Sequence, residues 1–261
     1  MSQQTQVHRV VGFYTAWLRR FPTLKVMARA SKPVILAHWS GLGYNNRALR
    51  LHRLAQEVMT QGGSLPESVE ELRKLPGIGK YTAHAMACFA FGRRVPLVDV
   101  NIRRLLSRFY ARMTSAAEMI PETKAWRLAE QILPSANVSE WNQSLMELGA
   151  LVCTARAPRC AVCPISGSCL SAHSRSLLRA GGGEKKREPS FKGVPRRIYR
   201  GRILKSLHDS PLTPREIGLL VVDGFRSSDL WWIRAILRKM EKDGLVTVER
   251  KGKSERVRVA R

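Results

Sequence analysis

Four cysteines fall within a short stretch as Cys153-x6-Cys160-x2-Cys163-x5-Cys169. Thiolates are soft ligands, and four so close in sequence can close around one metal centre. The spacing fits a structural zinc ion as well as an iron–sulfur cluster. A redox pair at Cys160 and Cys163 would leave the outer two cysteines idle. One tight cluster in a chain without a secretory signal points to metal rather than disulfides. The fifth cysteine, Cys88, lies in the apolar run Ala85-Met86-Ala87-Cys88-Phe89 and reads as a small core residue. Arg156 and Arg159, inside the cysteine loop, are candidates for touching phosphate.

Two further segments could do chemistry. In Leu75-Pro76-Gly77-Ile78-Gly79-Lys80-Tyr81 a helix runs into a turn and another helix leaves it. Gly77 and Gly79 let the backbone come close and turn N–H groups outward at a helix N-terminus, a geometry that holds phosphate without reading sequence. An ordinary helix–helix turn is the plain alternative; Lys80 and the chain's charge favour phosphate. In Val98-Asp99-Val100-Asn101 the carboxylate opens a helix. Its plain reading is an N-cap. Its active reading is a carboxylate at the mouth of a pocket, stabilising a cationic sugar or orienting a water.

These segments need a scaffold, and up to about Leu151 the chain reads as successive amphipathic helices. Val7, Val10, Val11, Tyr14, Trp17 and Leu18 recur at helical spacing, as do Leu49, Leu51, Leu54 and Val58, and Trp126, Leu128 and Ile132. No stretch alternates like a sustained strand there. Residues 174–195 carry Gly181-Gly182-Gly183 and a charged run, a flexible basic linker. Beyond it come a helix over Ile198–His208, a capping box at Thr213-Pro214-Arg215-Glu216, and a longer helix from Ser228 to Lys242. Two short strands then flank Lys251-Gly252-Lys253. Three helices and a basic hairpin make a winged-helix-like module; a small stabilising appendage is the alternative. Arg234, Arg238 and Lys239 on its last helix, with Lys251 and Lys253 on the wing, are its candidate DNA contacts.

The formal net charge of +25 over 261 residues favours a polyanion, nucleic acid before an acidic membrane surface. No apolar run is long enough to span a bilayer, so no membrane partner is expected. The reading places the protein in the cytoplasm, associated with the nucleoid.

Taken together, the Leu-Pro-Gly-Ile-Gly hairpin, Asp99 eighteen residues beyond Tyr81, and the x6/x2/x5 cysteine spacing resemble the helix-hairpin-helix (HhH-GPD) base-excision glycosylases. That superfamily includes endonuclease III, the MutY-type adenine glycosylases and the archaeal T:G mismatch glycosylases. The resemblance covers residues 1–173. It implies a mainly α fold with a six-helix barrel and an iron–sulfur cluster domain. It makes the cofactor of Cys153, Cys160, Cys163 and Cys169 a [4Fe–4S] cluster rather than zinc, and Asp99 the catalytic carboxylate. The expected layout is a glycosylase domain at 1–135, a cluster domain at 136–173, a basic linker at 174–195 and a winged-helix-like DNA-binding domain at 196–261.

Within the superfamily the text is closest to the MutY type. Gln3-Gln4-Thr5-Gln6-Val7 resembles its minor-groove segment, whose second glutamine, here Gln4, enters the helix beside the flipped nucleotide. Gly41-Leu42-Gly43-Tyr44 resembles the segment whose tyrosine wedges next to the opposing base, and Asn142–Ala150 also follows the type. Polar and aromatic wedges suit the void left by a flipped base. Glu122 aligns with a family glutamate that contacts adenine. With Gly77, Gly79, Lys80 and Tyr81, these form the expected pocket and DNA-binding set.

Three departures follow. Tyr81 stands where bifunctional lyases carry lysine, so no amine is available for a Schiff base; MutY-type enzymes usually have serine there, T:G mismatch glycosylases tyrosine. The chain begins where the MutY type is already inside its first catalytic helix. The expectation is therefore an N-terminally truncated chain whose general-acid glutamate lies upstream of Met1, or one with reduced adenine activity. The C-terminal module does not resemble a Nudix-like domain. The reading is a monofunctional, monomeric glycosylase that removes a mismatched base from double-stranded DNA, most simply adenine opposite 8-oxoguanine or guanine. The alternatives are a thymine or uracil glycosylase for T:G or U:G mismatches, and a catalytically impaired DNA-binding protein.

Overall fold

The computed structural model describes residues 1, 7–112, 119–172, 174, 188–251 and 254–260. They divide into two compact units, one formed by 1–65, 75–77 and 187–261, the other by 66–74 and 78–186.

The first unit opens with α1 (Val7–Arg20), α2 (Leu24–Arg29), α3 (Lys32–Trp39) and α4 (Asn46–Thr60). Thr23 ends the turn before α2 by accepting the Val26 N–H on its hydroxyl at 3.2 Å. Pro33 sits in the first turn of α3, where its missing N–H costs no helical bond. The apolar residues of α1 divide between two sides. Val10 and Trp17 are buried, as is Phe21 just beyond the helix, whereas Val11, Tyr14 and Leu18 stay exposed. The spacing alone could not separate them, because both sets recur with a helical period.

Residues 190–195, read in sequence as the end of a linker, form a short antiparallel hairpin of β1 (Ser190–Phe191) and β2 (Val194–Pro195). Phe191 stacks on Trp232 at 4.4 Å between ring centroids, which ties the hairpin to the helices that follow. These are α10 (Arg196–Ser206), α11 (Pro214–Val221) and α12 (Leu230–Lys242). The Thr213 capping box forms in full, with Glu216 accepting the Thr213 N–H at 2.7 Å. β3 (Val246–Lys251) and β4 (Ser254–Val259) pair antiparallel, and Leu212 bridges to Val257. Three helices and a hairpin in this order are the arrangement of a winged helix. Tyr199, Ile203, Ile217, Ile233, Ile236 and Met240 fill its interior, which is continuous with the apolar side of α1–α4.

The second unit holds α5 (Val69–Leu72), α6 (Lys80–Phe89), α7 (Val100–Tyr110), α8 (Glu122–Gln131) and α9 (Val138–Glu147). Leu97, Ile102, Leu106, Ala125, Trp126 and Leu145 make its core. Each large side chain there contributes on the order of 1.5–3 kcal/mol by leaving water. Asn142 is buried at the centre of a polar knot. Its Oδ1 accepts the Leu97 N–H at 3.1 Å, and its Nδ2 donates to the Val95 carbonyl at 3.0 Å and to Cys88 Sγ at 3.3 Å. This knot pins the extended segment that delivers Asp99. After α9 the chain unwinds into a wider π turn at Leu148–Val152, closed by the Cys153 N–H on the Leu148 carbonyl at 2.7 Å. Two short 3-10 turns, Cys160–Val162 and Ser166–Ser168, follow. The described residues up to 172 contain no strand, and no described helix is long and apolar enough to cross a membrane.

Candidate functional site

The hairpin is built from its glycines. Gly77 has φ +82°, which a residue with a side chain rarely adopts, and a Cβ there would lie 2.9 Å from Arg50 Cβ. Gly79 is different. It is the N-cap of α6 in an extended conformation, and a Cβ there would meet nothing within 4 Å. The protein does not need its bareness for packing; the space is left open over the first N–H groups of α6, where an anion is favoured. Lys80 lies with Nζ 4.1 Å from the centre of the Trp126 ring. His84 packs against the same ring, tilted by 50° at 4.5 Å between centroids, and holds the Lys80 carbonyl through Nδ1 at 2.8 Å. Burial pushes the His84 pKa down, which favours the neutral ring as donor. Glu122, the first residue of α8, accepts the Trp126 Nε1–H at 3.2 Å. Trp126 therefore gathers Lys80, His84 and Glu122 around one buried indole.

Asp99 is the N-cap of α7. Its Oδ1 accepts the Ile102 N–H at 2.7 Å, and its Oδ2 accepts from Asn101 Nδ2 at 3.0 Å. The preceding Pro96, Leu97 and Val98 are buried, while the carboxylate itself is half-buried. It thus combines an apolar flank with access from outside, at the positive end of a helix that favours its charge. Tyr81 lies in the same environment: burial raises its pKa, and the charge of Asp99 adds to the rise. The phenol is consequently a neutral group at ordinary pH, its O–H 3.9 Å from Met146 Sδ.

The four cysteines line a single cavity together with Leu105, Phe109, Val152, Pro158 and Ile165. Among the described residues no three His, Cys, Asp or Glu side chains converge on a site for one metal ion. Four thiols lining one cavity are a ligand set that fits an iron–sulfur cluster. Burial pushes the Cys169 thiol up; the Ser171 N–H on its sulfur works the other way, and Cys153, Cys160 and Cys163 add to the rise. A cationic iron centre resolves that crowding of negative charge.

Two buried arginines of α7 hold the loop in place. Arg104 donates from Nε to the Cys153 carbonyl at 2.9 Å, and from Nη2 to the Gly149 carbonyl at 2.6 Å and Asn101 Oδ1 at 3.0 Å. Gly149 permits this closeness, since a Cβ there would lie 3.0 Å from Asn101 Cβ. Arg108 donates to the Thr154 carbonyl at 2.7 Å, the Ala155 carbonyl at 2.9 Å and Cys153 Sγ at 3.4 Å. A continuous set of hydrogen bonds therefore runs from Asp99 through Asn101 and Arg104 to Cys153. Sequence reading missed Asn101, Arg104 and Arg108 as functional. The available signal was arginine among Ile102, Leu105 and Leu106 on the apolar face of an amphipathic helix.

Other expected residues are placed more loosely. Tyr44 is 55% exposed with φ +49°, its ring beneath the Arg47 guanidinium at 5.4 Å. An exposed aromatic held in a left-handed backbone is available to a ligand rather than to the core. Gln4 and Lys253 lie outside the described residues, as does the side chain of Lys251. Arg159 turns back to the Leu151 carbonyl at 2.5 Å, while Arg156 is exposed. On α12, Arg234, Arg238 and Lys239 are exposed, and Arg234 meets Glu255 at 3.1 Å.

Residues 153–169 match the iron–sulfur binding domain of endonuclease III, in agreement with a [4Fe–4S] cofactor held by the four cysteines. The chain is 40% identical over 222 residues to the adenine DNA glycosylase of Mycobacterium tuberculosis (strain CDC 1551 / Oshkosh), covering 83% of this chain and 71% of that protein. It is 38% identical over 224 residues to the adenine DNA glycosylase of Mycolicibacterium smegmatis, covering 84% and 74%. Among solved structures, a thermostable thymine-DNA glycosylase superposes with a TM-score of 0.60 at 28% identity, over 65% of this chain and 79% of that one. Residues 1–131 match the HhH-GPD superfamily of base excision DNA repair proteins, and the chain belongs to that superfamily.

Proposed function

We propose that this chain is a monofunctional, monomeric DNA glycosylase that hydrolyses the N-glycosidic bond of adenine opposite 8-oxoguanine or guanine in duplex DNA. The observation that carries the reading is Asp99, a carboxylate fixed by two hydrogen bonds with a neutral tyrosine beside it. The adenine glycosylases similar to this chain support the choice of base.

The hairpin N–H groups of α6 hold a backbone phosphate, while Gln4 and Tyr44 fill the stack left by the flipped nucleotide. Glu122 helps to recognise the extruded base. As the C1′–N bond stretches, positive charge develops on the sugar, and the fixed Asp99 carboxylate stabilises it without reorganising. Water forms the new C1′–O bond as the C1′–N bond breaks, and the proton the water loses ends on the departing base, which leaves as neutral adenine. With tyrosine at position 81 no amine attacks C1′, so the abasic strand stays uncut. When bound, the [4Fe–4S] cluster supplies a rigid cationic centre that keeps the Cys153–Cys169 loop folded. Residues 1–135 serve as the glycosylase domain and 136–173 as the cluster domain, with a DNA-binding module at 196–261 that begins behind the β1–β2 hairpin and shares a core with α1–α4. Arg238, Lys239 and Lys242 on the exposed side of α12 have no acidic partner within 4.0 Å among the described residues and suit contacts to duplex phosphate.

The thymine reading rests on Tyr81 and on the structural likeness to a thymine-DNA glycosylase. Single-turnover base release from A opposite 8-oxoguanine, A:G, T:G and U:G duplexes separates the two. Adenine release should dominate and fall about 10²–10³-fold in Asp99→Asn, which keeps the N-cap. Preferential release of thymine or uracil would replace adenine as substrate. No release from any duplex, with binding intact, would sink the catalytic reading.

A further inference from the structure

We propose that Ser171 donates a hydrogen bond from its hydroxyl to the sulfur shell of the iron–sulfur cluster, and so raises the cluster's reduction potential. Ser171 is 2% exposed and lines the cavity shared by the four cysteines. Its Oγ is buried without a hydrogen-bond partner among the described residues. A buried hydroxyl left unpaired costs about 1–3 kcal/mol, so such a group calls for a ligand. The backbone N–H of Ser171 bonds the Cys169 sulfur, and its carbonyl is taken by the Ser174 N–H at 3.4 Å. Apolar side chains supply much of the remaining wall, and they offer the hydroxyl no acceptor. A thiolate or sulfide of the cluster does.

The direction of the effect follows from charge. Reduction adds an electron that is spread over iron and sulfur, and a donor aimed at sulfur stabilises the more negative state. Arg108, 3.4 Å from Cys153 Sγ, acts in the same sense on another sulfur of the set. Ser171 is therefore a positioning and tuning residue with no role in breaking the glycosidic bond. The proposal rests on the cavity holding a cluster, so iron content is measured first. A purified chain that binds no iron overturns the cluster reading itself; an iron-loaded chain tests Ser171 alone.

The test is the cluster's midpoint potential, read by electrode titration of the full-length loaded protein. Ser171→Ala should keep its iron and lower the potential, raising the oxidised-to-reduced ratio at a fixed potential by about three- to tenfold, where tenfold equals 59 mV for one electron. Ser171→Thr, which keeps the hydroxyl, should stay at the wild-type potential. An unchanged potential in loaded Ser171→Ala overturns the proposal. Should the alanine variant fail to retain iron, wild-type protein transferred to heavy water decides. Electron–nuclear double resonance of the paramagnetic cluster should then show a coupled deuteron that exchanges within minutes, faster than buried amides, and that persists in Ser171→Thr. Its absence overturns the proposal as well.

Discussion

The two ends of α7 do different work and are held by different means. At its N-terminus Asp99 is fixed by neighbours two and three residues away, and it remains half-open to solvent. Further along, Arg104 and Arg108 are buried and reach loop carbonyls 45 to 49 residues away. The carboxylate end is a property of a helix start. The guanidinium end exists only if the π turn and the cysteine loop fold against α7. A carboxylate thus sits where the backbone alone can orient it, while the cysteine loop, whose only helical pieces are two short 3-10 turns, borrows its rigidity from charged donors on a neighbouring helix.

Arg108→Ala should break the far end most severely. It orphans the Thr154 and Ala155 carbonyls and removes the cation beside Cys153 Sγ, costing about 3 kcal/mol of stability. Iron per chain and thermal unfolding would both report it, and base release should fall only in proportion to the iron lost. Arg104→Lys tests the junction. Lysine keeps the charge but not the planar fork that serves Asn101, Gly149 and Cys153 at once. A loss of about 1–2 kcal/mol in stability and a partial loss of base release are expected together; an effect on only one would mean that the two ends are uncoupled. Asn101→Ala should be the mildest. It frees Asp99 Oδ2 while leaving the loop intact, so base release should slow about tenfold, equivalent to 1.4 kcal/mol, at unchanged iron content. If iron falls too, the division between the two ends is wrong.

Much of the site was legible because its signals are local. Gly77 announces a left-handed turn, Thr213 and Glu216 write a capping box across one turn of chain, and Asp99 before an amphipathic run marks a helix start. Cys88 reads correctly as core from its apolar neighbours, and it is 1% exposed. Other features were not. Val10 and Val11 are equivalent in a helical pattern, yet one is buried and the other is 59% exposed, because only the packing of α1 against its neighbours chooses the face. Lys80 reads as a phosphate ligand from its place after Gly79; in the fold its ammonium rests on Trp126, 46 positions along the chain.

The sequence by itself determined the family, the helix starts, the cysteine motif of the iron–sulfur domain and the place of Asp99 at a helix start, since each rests on residue type at short, rigid spacing. The tertiary structure alone decided what surrounds them: Asn142 bracing the segment before Asp99, Arg104 and Arg108 clamping the cysteine loop, and Ser171 buried in the cluster cavity. Those roles depend on contacts between groups far apart in the chain. A hydrogen bond of about 3 Å leaves no trace in the spacing of residues that only folding brings together.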